Sequence, residues 1–163
     1  MTREGEVLVL REHLATCERL EAGLRKVRTR IAALIPIQAE RMRTLNDDEH
    51  VDVLAFLKTY EQLEDTLGRT LKTIAMLMQL GKTERLMPRD VAFRAVSLGV
   101  LDNAKDWADA VRVRNELAHE YPLRPDKQSE QVNKAWEKSA TLFETASAIR
   151  RFVENERLLH ADL

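Results

Sequence analysis

Leu10, Leu14, Cys17, Leu20, Leu24, Val27, Ile31 and Leu34 follow one another at steps of three and four. A strand alternates its faces every second residue, so this spacing places all eight on one side only if the segment is an α-helix. The stripe predicts a first helix over about residues 6 to 35, and Pro36, which has no backbone N–H to donate, ends or kinks it. A second stripe, Leu57, Tyr60, Leu63, Leu67, Leu71, Ile74 and Met78, continues to Gly81. Asn46 and Glu49 stand at the spacing of a capping pair at its start. Two amphipathic helices of this length hide their apolar faces by packing antiparallel.

The rest of the chain fits the same architecture. Residues 82–87 form the clearest break, and Pro88 suits the first position of a short connecting helix that closes near Gly99. Asn103, with Asp106 three residues on, opens a helix through Trp107, Ala110, Val111, Val113, Leu117 and Ala118. A last helix over about 126–157 carries Val132, Trp136, Ser139, Phe143, Ala146, Ile149 and Val153 at helical spacing. With five glycines and four prolines in 163 residues, the composition is that of long helices. The expectation is a single all-α domain over 1–163, an up-and-down bundle of four main helices plus a short connecting helix. Met76, Met78, Trp107 and Trp136 are explained as core, without a cofactor.

Charge and cysteine content narrow the function. The 26 basic and 27 acidic residues nearly cancel, whereas a protein that tracks a nucleic-acid backbone usually carries a basic excess. Any RNA contact is therefore local; the most basic run, LRKVRTR at 24–30, reads as the solvated face of the first helix. Cys17 is the only cysteine, which excludes an internal disulfide and fits a reducing, cytoplasmic setting. The first residues, MTREGEVLVLREH, are too charged for a signal peptide, and nothing approaches the length of a membrane span. No HExxH, Cys/His cluster, glycine-rich phosphate loop or nucleophile elbow occurs, so no metal site is expected. His13, His50 and His160 are scattered and read as surface residues.

One stretch departs from the charge-laced helical pattern: VRVRNELAHEYP, residues 111–122. At about 100° per residue, with Arg114 at zero, Ala118 lies near 40°, Asn115 near 100°, His119 near 140° and Tyr121 near 340°. Val113 and Leu117 point inward, and four polar groups fan around one small residue. Pro122 disfavours helical geometry at Tyr121, placing His119 in the last turn, where the negative end of the helix dipole favours an imidazolium suited to general-acid work. The plainer account is structural: Arg114 pairs with an acid, His119 caps carbonyls and Tyr121 packs. Asp65 and Arg69, at i and i+4, form either a surface ion pair or a pair from which Asp65 reaches Arg114 across the bundle.

Read as R-N-x-x-x-H-x-Y, Arg114, Asn115, His119 and Tyr121 match the motif of the HEPN superfamily, and the added tyrosine is similar to its HepT-like toxin branch. LGVLDNAKDWADAVRVRNELAHEYP, residues 98–122, resembles that branch along its length, and YEQLEDTLGRTLK, residues 60–72, resembles its second helix. The resemblance implies a homodimer whose two motifs face each other in a metal-independent endoribonuclease site for single-stranded RNA. Arg114, Asn115 and His119 would be catalytic. RNA's own 2'-OH attacks the adjacent phosphate, His119 shuttles the proton, Arg114 meets the developing charge, and Asn115 orients His119 or holds a phosphate oxygen. It also implies an MNT-type nucleotidyltransferase antitoxin that silences the toxin by transferring AMP to Tyr121. The alternative is a non-catalytic helical adaptor that only binds its nucleotidyltransferase.

Overall fold

The computed structural model describes residues 2–78, 87–119 and 124–160. Among them are six α-helices: α1 Arg3–Ile31, α2 Ala39–Arg43, α3 Asp47–Leu77, α4 Pro88–Ser97, α5 Ala104–His119 and α6 Pro125–Asn155. No strand occurs among the described residues. The expected break at 82–87 lies mostly outside them, as do Gly81, Tyr121 and Pro122.

The seam between α1 and α3 is the largest helix contact. On α1, Leu10, Cys17, Leu24 and Ile31 are buried at intervals of seven. On α3, eight of the twelve buried residues, Val53, Phe56, Tyr60, Leu63, Leu67, Thr70, Ile74 and Leu77, alternate steps of three and four. A repeat averaging 3.5 residues keeps both stripes in register along the helices, as in a left-handed coiled coil. Arg3 donates to the Leu77 carbonyl near one end, Cys17 meets Thr70 in the middle, and Arg30 pairs with Asp52 near the other. The two helices are therefore antiparallel, as their stripes predict.

Local signals set the helix ends. Thr2 accepts from Gly5 N at 3.2 Å and starts α1 a few residues earlier than its apolar stripe suggests. A 3-10 turn, Ala32–Leu34, follows α1, and the Ile35–Pro36 peptide is cis. Asn46 and Glu49 make the full reciprocal capping box, with Glu49 N donating to Asn46 Oδ1 at 2.8 Å and Asn46 N to Glu49 Oε1 at 3.1 Å. At α5, Asn103 Oδ1 accepts from Lys105 N at 2.8 Å. Gly99 takes φ +80° beyond α4, a conformation that would strain a residue with a Cβ. The short α2 is an element the apolar periodicity does not reveal.

The last helix closes the bundle chiefly against α5, α2 and α3, with a lighter contact to α1. Asn133 clamps the chain before α2, its Oδ1 accepting from Ile37 N and its Nδ2 donating to Ile37 O, each at 2.9 Å. Lys138 and Lys134 of α6 pair with Asp109 and Glu116 of α5, so these two helices are also antiparallel. No described helix is long and apolar enough to cross a membrane.

Candidate functional site

The α5 helix meets α3 through one hydrogen bond in the core. Tyr60, fully buried, donates its hydroxyl to the Ala110 carbonyl at 2.9 Å. Burial, with the negative charge of Glu64 adding to it, raises the pKa of Tyr60, so it remains a donor at neutral pH. Trp107, Ala110 and Val113 then face the core, as the helical spacing predicts. Arg114, one residue past Val113, emerges at the boundary of the core with its side chain 29% exposed.

Three side chains hold Arg114 there. Its Nη2 donates to Asp65 Oδ1 at 3.0 Å, and its Nη1 to Asn115 Oδ1 at 3.0 Å. Its Nε lies 3.3 Å from Glu64 Oε2 in an ion pair that lacks hydrogen-bond alignment, leaving this buried N–H without an acceptor in line. Asp65 also receives Arg69 Nε at 3.0 Å on its other oxygen. Both accounts of Asp65 from the sequence are therefore true at once: it pairs along α3 and across to α5.

Glu64 is the site residue that sequence reasoning missed. Burial pushes its carboxyl from 4.5 up to about 7, against the opposing pull of Arg114, while Asp65 and Glu61 add to the rise. Near neutral pH it therefore exchanges a proton, and its charge beside Arg114 comes and goes. His13, read from the sequence as a surface residue, is half-buried instead. Burial and the charge of Arg69 hold its imidazole below the usual value, so it belongs to the same charged cluster from the α1 side. A buried glutamate opposite an arginine that lies 50 positions away in the chain has no local sequence signal beyond its place on an apolar face.

These groups border a cavity of about 250 Å³ between α3, α4 and α5. Glu64, Asp65, Arg69, Arg114 and Asn115 give it a polar wall, and Trp107, Val111 and Val91 an apolar one. Gly68 leaves its floor open; a Cβ there would stand 3.8 Å from the Trp107 ring. The structure thus brings together Arg114, Asn115 and Asp65. His119 is exposed at the last residue of α5, and neither it nor the exposed Ala118 lines the cavity. Tyr121 lies outside the described residues. No group of three His, Cys, Asp or Glu among the described residues is placed to hold a metal ion. Comparison with known protein families, curated proteins and solved structures finds no match to this chain.

Proposed function

We propose that the chain is a metal-independent endoribonuclease of the HepT-like kind, acting as a homodimer on single-stranded RNA. The observation that supports this reading is Arg114: a guanidinium fixed by Asp65 and Asn115 at a cavity mouth, five positions before a solvent-facing His119 on the same helix. A fixed cation loses little orientational freedom on meeting a phosphate, and it stabilises charge that develops on the phosphorane oxygens. In the reaction the RNA 2'-oxygen bonds to the adjacent phosphorus and the P–O5' bond breaks. One His119 of the dimer takes the 2' proton and the other gives a proton to the departing 5'-oxygen, leaving a 2',3'-cyclic phosphate and a 5'-hydroxyl. Two protomers are invoked because one supplies a single histidine in this motif.

Regulation follows from Tyr121, two residues past His119. An AMP group transferred there by an MNT-type nucleotidyltransferase would add a negative phosphate two residues from His119 in the chain and exclude RNA by charge and volume. The adaptor reading draws on a different observation, an apolar groove of about 360 Å³ lined by Phe93, Ala104, Trp107, Ala108 and Val111, which suits protein contact better than phosphate.

The deciding experiment incubates purified protein with single-stranded RNA in EDTA and analyses the product ends, beside protein co-expressed with a nucleotidyltransferase. Cyclic-phosphate ends, together with a mass gain of AMP on Tyr121 that abolishes cutting, are expected. An intact RNA pool, with a stable complex formed and no mass gain, would leave the adaptor reading standing instead.

A further inference from the structure

The basic run of α1 has no part in the site above, yet its arginines are not arranged as an ordinary solvated face. Arg25, Arg28 and Thr29 of α1 and Ala32 of the 3-10 turn, with Trp136 and Phe143 of α6, line an open groove of about 510 Å³. Arg25 Cζ stands 4.2 Å from the centre of the Phe143 ring. Arg28 Cζ stands 4.2 Å from the Trp136 ring and 5.6 Å from Phe143. Arg28 Nη1 also donates to Ser139 Oγ at 2.8 Å, and that hydroxyl in turn donates to the Trp136 carbonyl at 2.6 Å. Each guanidinium therefore lies over an aromatic ring at cation–π distance, and Arg28 is further held by the Ser139 hydroxyl.

Among the described residues, neither Arg25 nor Arg28 pairs with a carboxylate. The Arg28 guanidinium is held below its usual pKa by burial and by Arg25, and no acid offsets them. The nearest acid one turn back on α1, Glu21, is buried and engaged by Arg150. Like charges three apart on one helix repel, and the aromatic rings offset only part of that cost. An anion entering the groove would relieve it.

We propose that this groove is a second binding surface for single-stranded RNA, in which Arg25 and Arg28 take backbone phosphates and their ring-backed planes provide stacking platforms for bases. The identity of the ligand rests on the ribonuclease reading; the groove itself shares no residue with the Arg114 site. Charge alone would suit an acidic peptide equally well, but planar cations mounted on aromatic rings add the stacking surface that a base uses and a carboxylate does not. The surface would hold a strand at a distance from the cut, so that longer RNA binds better than short RNA.

The test uses His119→Ala protein, which keeps RNA intact, and a labelled oligouridylate in fluorescence anisotropy. Arg25→Glu, at an exposed position, and Arg28→Gln, which keeps the packed stem, are each expected to weaken binding about tenfold or more without changing the melting temperature. The slope of log K against log salt should flatten by about 0.7 per lost phosphate contact. Polyglutamate should compete poorly. Equal affinity in the parent and Arg25→Glu, no binding by the parent, or polyglutamate competing as well as RNA would each overturn the proposal, the last in favour of an acidic protein partner. Arg25-dependent binding in a protein whose wild type cuts no RNA would sink the ribonuclease reading and leave the groove intact. Cutting with Arg25-independent binding would do the reverse.

Discussion

The α3 helix takes part in two contacts built on opposite principles. Toward α1 it presents a heptad of apolar residues, where position along the repeat decides burial and the energy is spread over many side chains. Toward α5 it presents Glu64 and Asp65, which hold one arginine, and a glycine that leaves space. The first contact gains from being full. The second is open, charged and partly unsatisfied, and such features cost stability wherever they are not compensated. A helix that carries both can have the stability of the fold mutated on one face and the charged site on the other.

The sharpest way to separate the two sides is His119→Ala. His119 is exposed at the end of α5, so the variant should melt like the wild type while RNA cleavage falls by about 10² to 10⁴ in rate. Gel assays in EDTA beside thermal melts by circular dichroism measure both; a large drop in melting temperature would show that the residue is structural. The opposite outcome belongs to Leu67→Ala on the seam, where Leu67 is 1% exposed. Loss of a buried leucine should cost about 2–5 kcal/mol and lower the melting temperature by roughly 10 °C. Cleavage per folded molecule should be retained.

Glu64 blurs the comparison and can be used to sharpen it. Its carboxyl is raised from 4.5 to about 7, so the folded state holds this proton more tightly than the unfolded state does. The associated stability is fully present below about pH 4.5 and is lost as the pH rises through about 7. The gap of about 2.5 units corresponds to up to about 3 kcal/mol. Glu64→Gln should flatten the wild-type loss of stability between about pH 5 and pH 8 in urea titrations, and an unchanged pH profile would assign that loss to other groups. Smallest is Gly68→Ala. A Cβ there meets Trp107 at 3.8 Å and Glu64 Oε1 at 3.9 Å, ordinary contact distances. Removing a mid-helix glycine should stabilise the protein by about 1 kcal/mol; a destabilised variant would mean that the cavity floor cannot accept even a methyl group.

Legibility in the sequence followed the same division. The α1 and α3 stripes, the Asn46–Glu49 box and the Asn103 start could be read because each is a pattern within a single helix. Periodicity also placed Val113 inward and Arg114 beside it. What it could not supply was the partner of a charge. Glu21 occupies a place on the inner side of α1 that would suit leucine, and its counter-ion, Arg150, lies 129 positions away. Glu64 and His13 resemble surface residues for the same reason, since burial of an ionisable group is decided by what a distant helix brings to it. The basic run at 24–30 was correctly placed on a helix face, but the two aromatic rings that organise it come from α6.

The contact between Arg114 and Asp65 can also be considered as competition. A carboxylate carried on the neighbouring helix is an intramolecular ligand, and tethering gives such a ligand an effective concentration of millimolar or more. A small free anion at lower concentration would seldom displace it. A polymer already anchored elsewhere on the same molecule delivers its phosphates under the same tethered condition, and so meets the carboxylate on equal terms. The carboxylate contact that fixes the arginine would then also screen it, admitting long polyanions ahead of the small phosphates that are abundant in any cell.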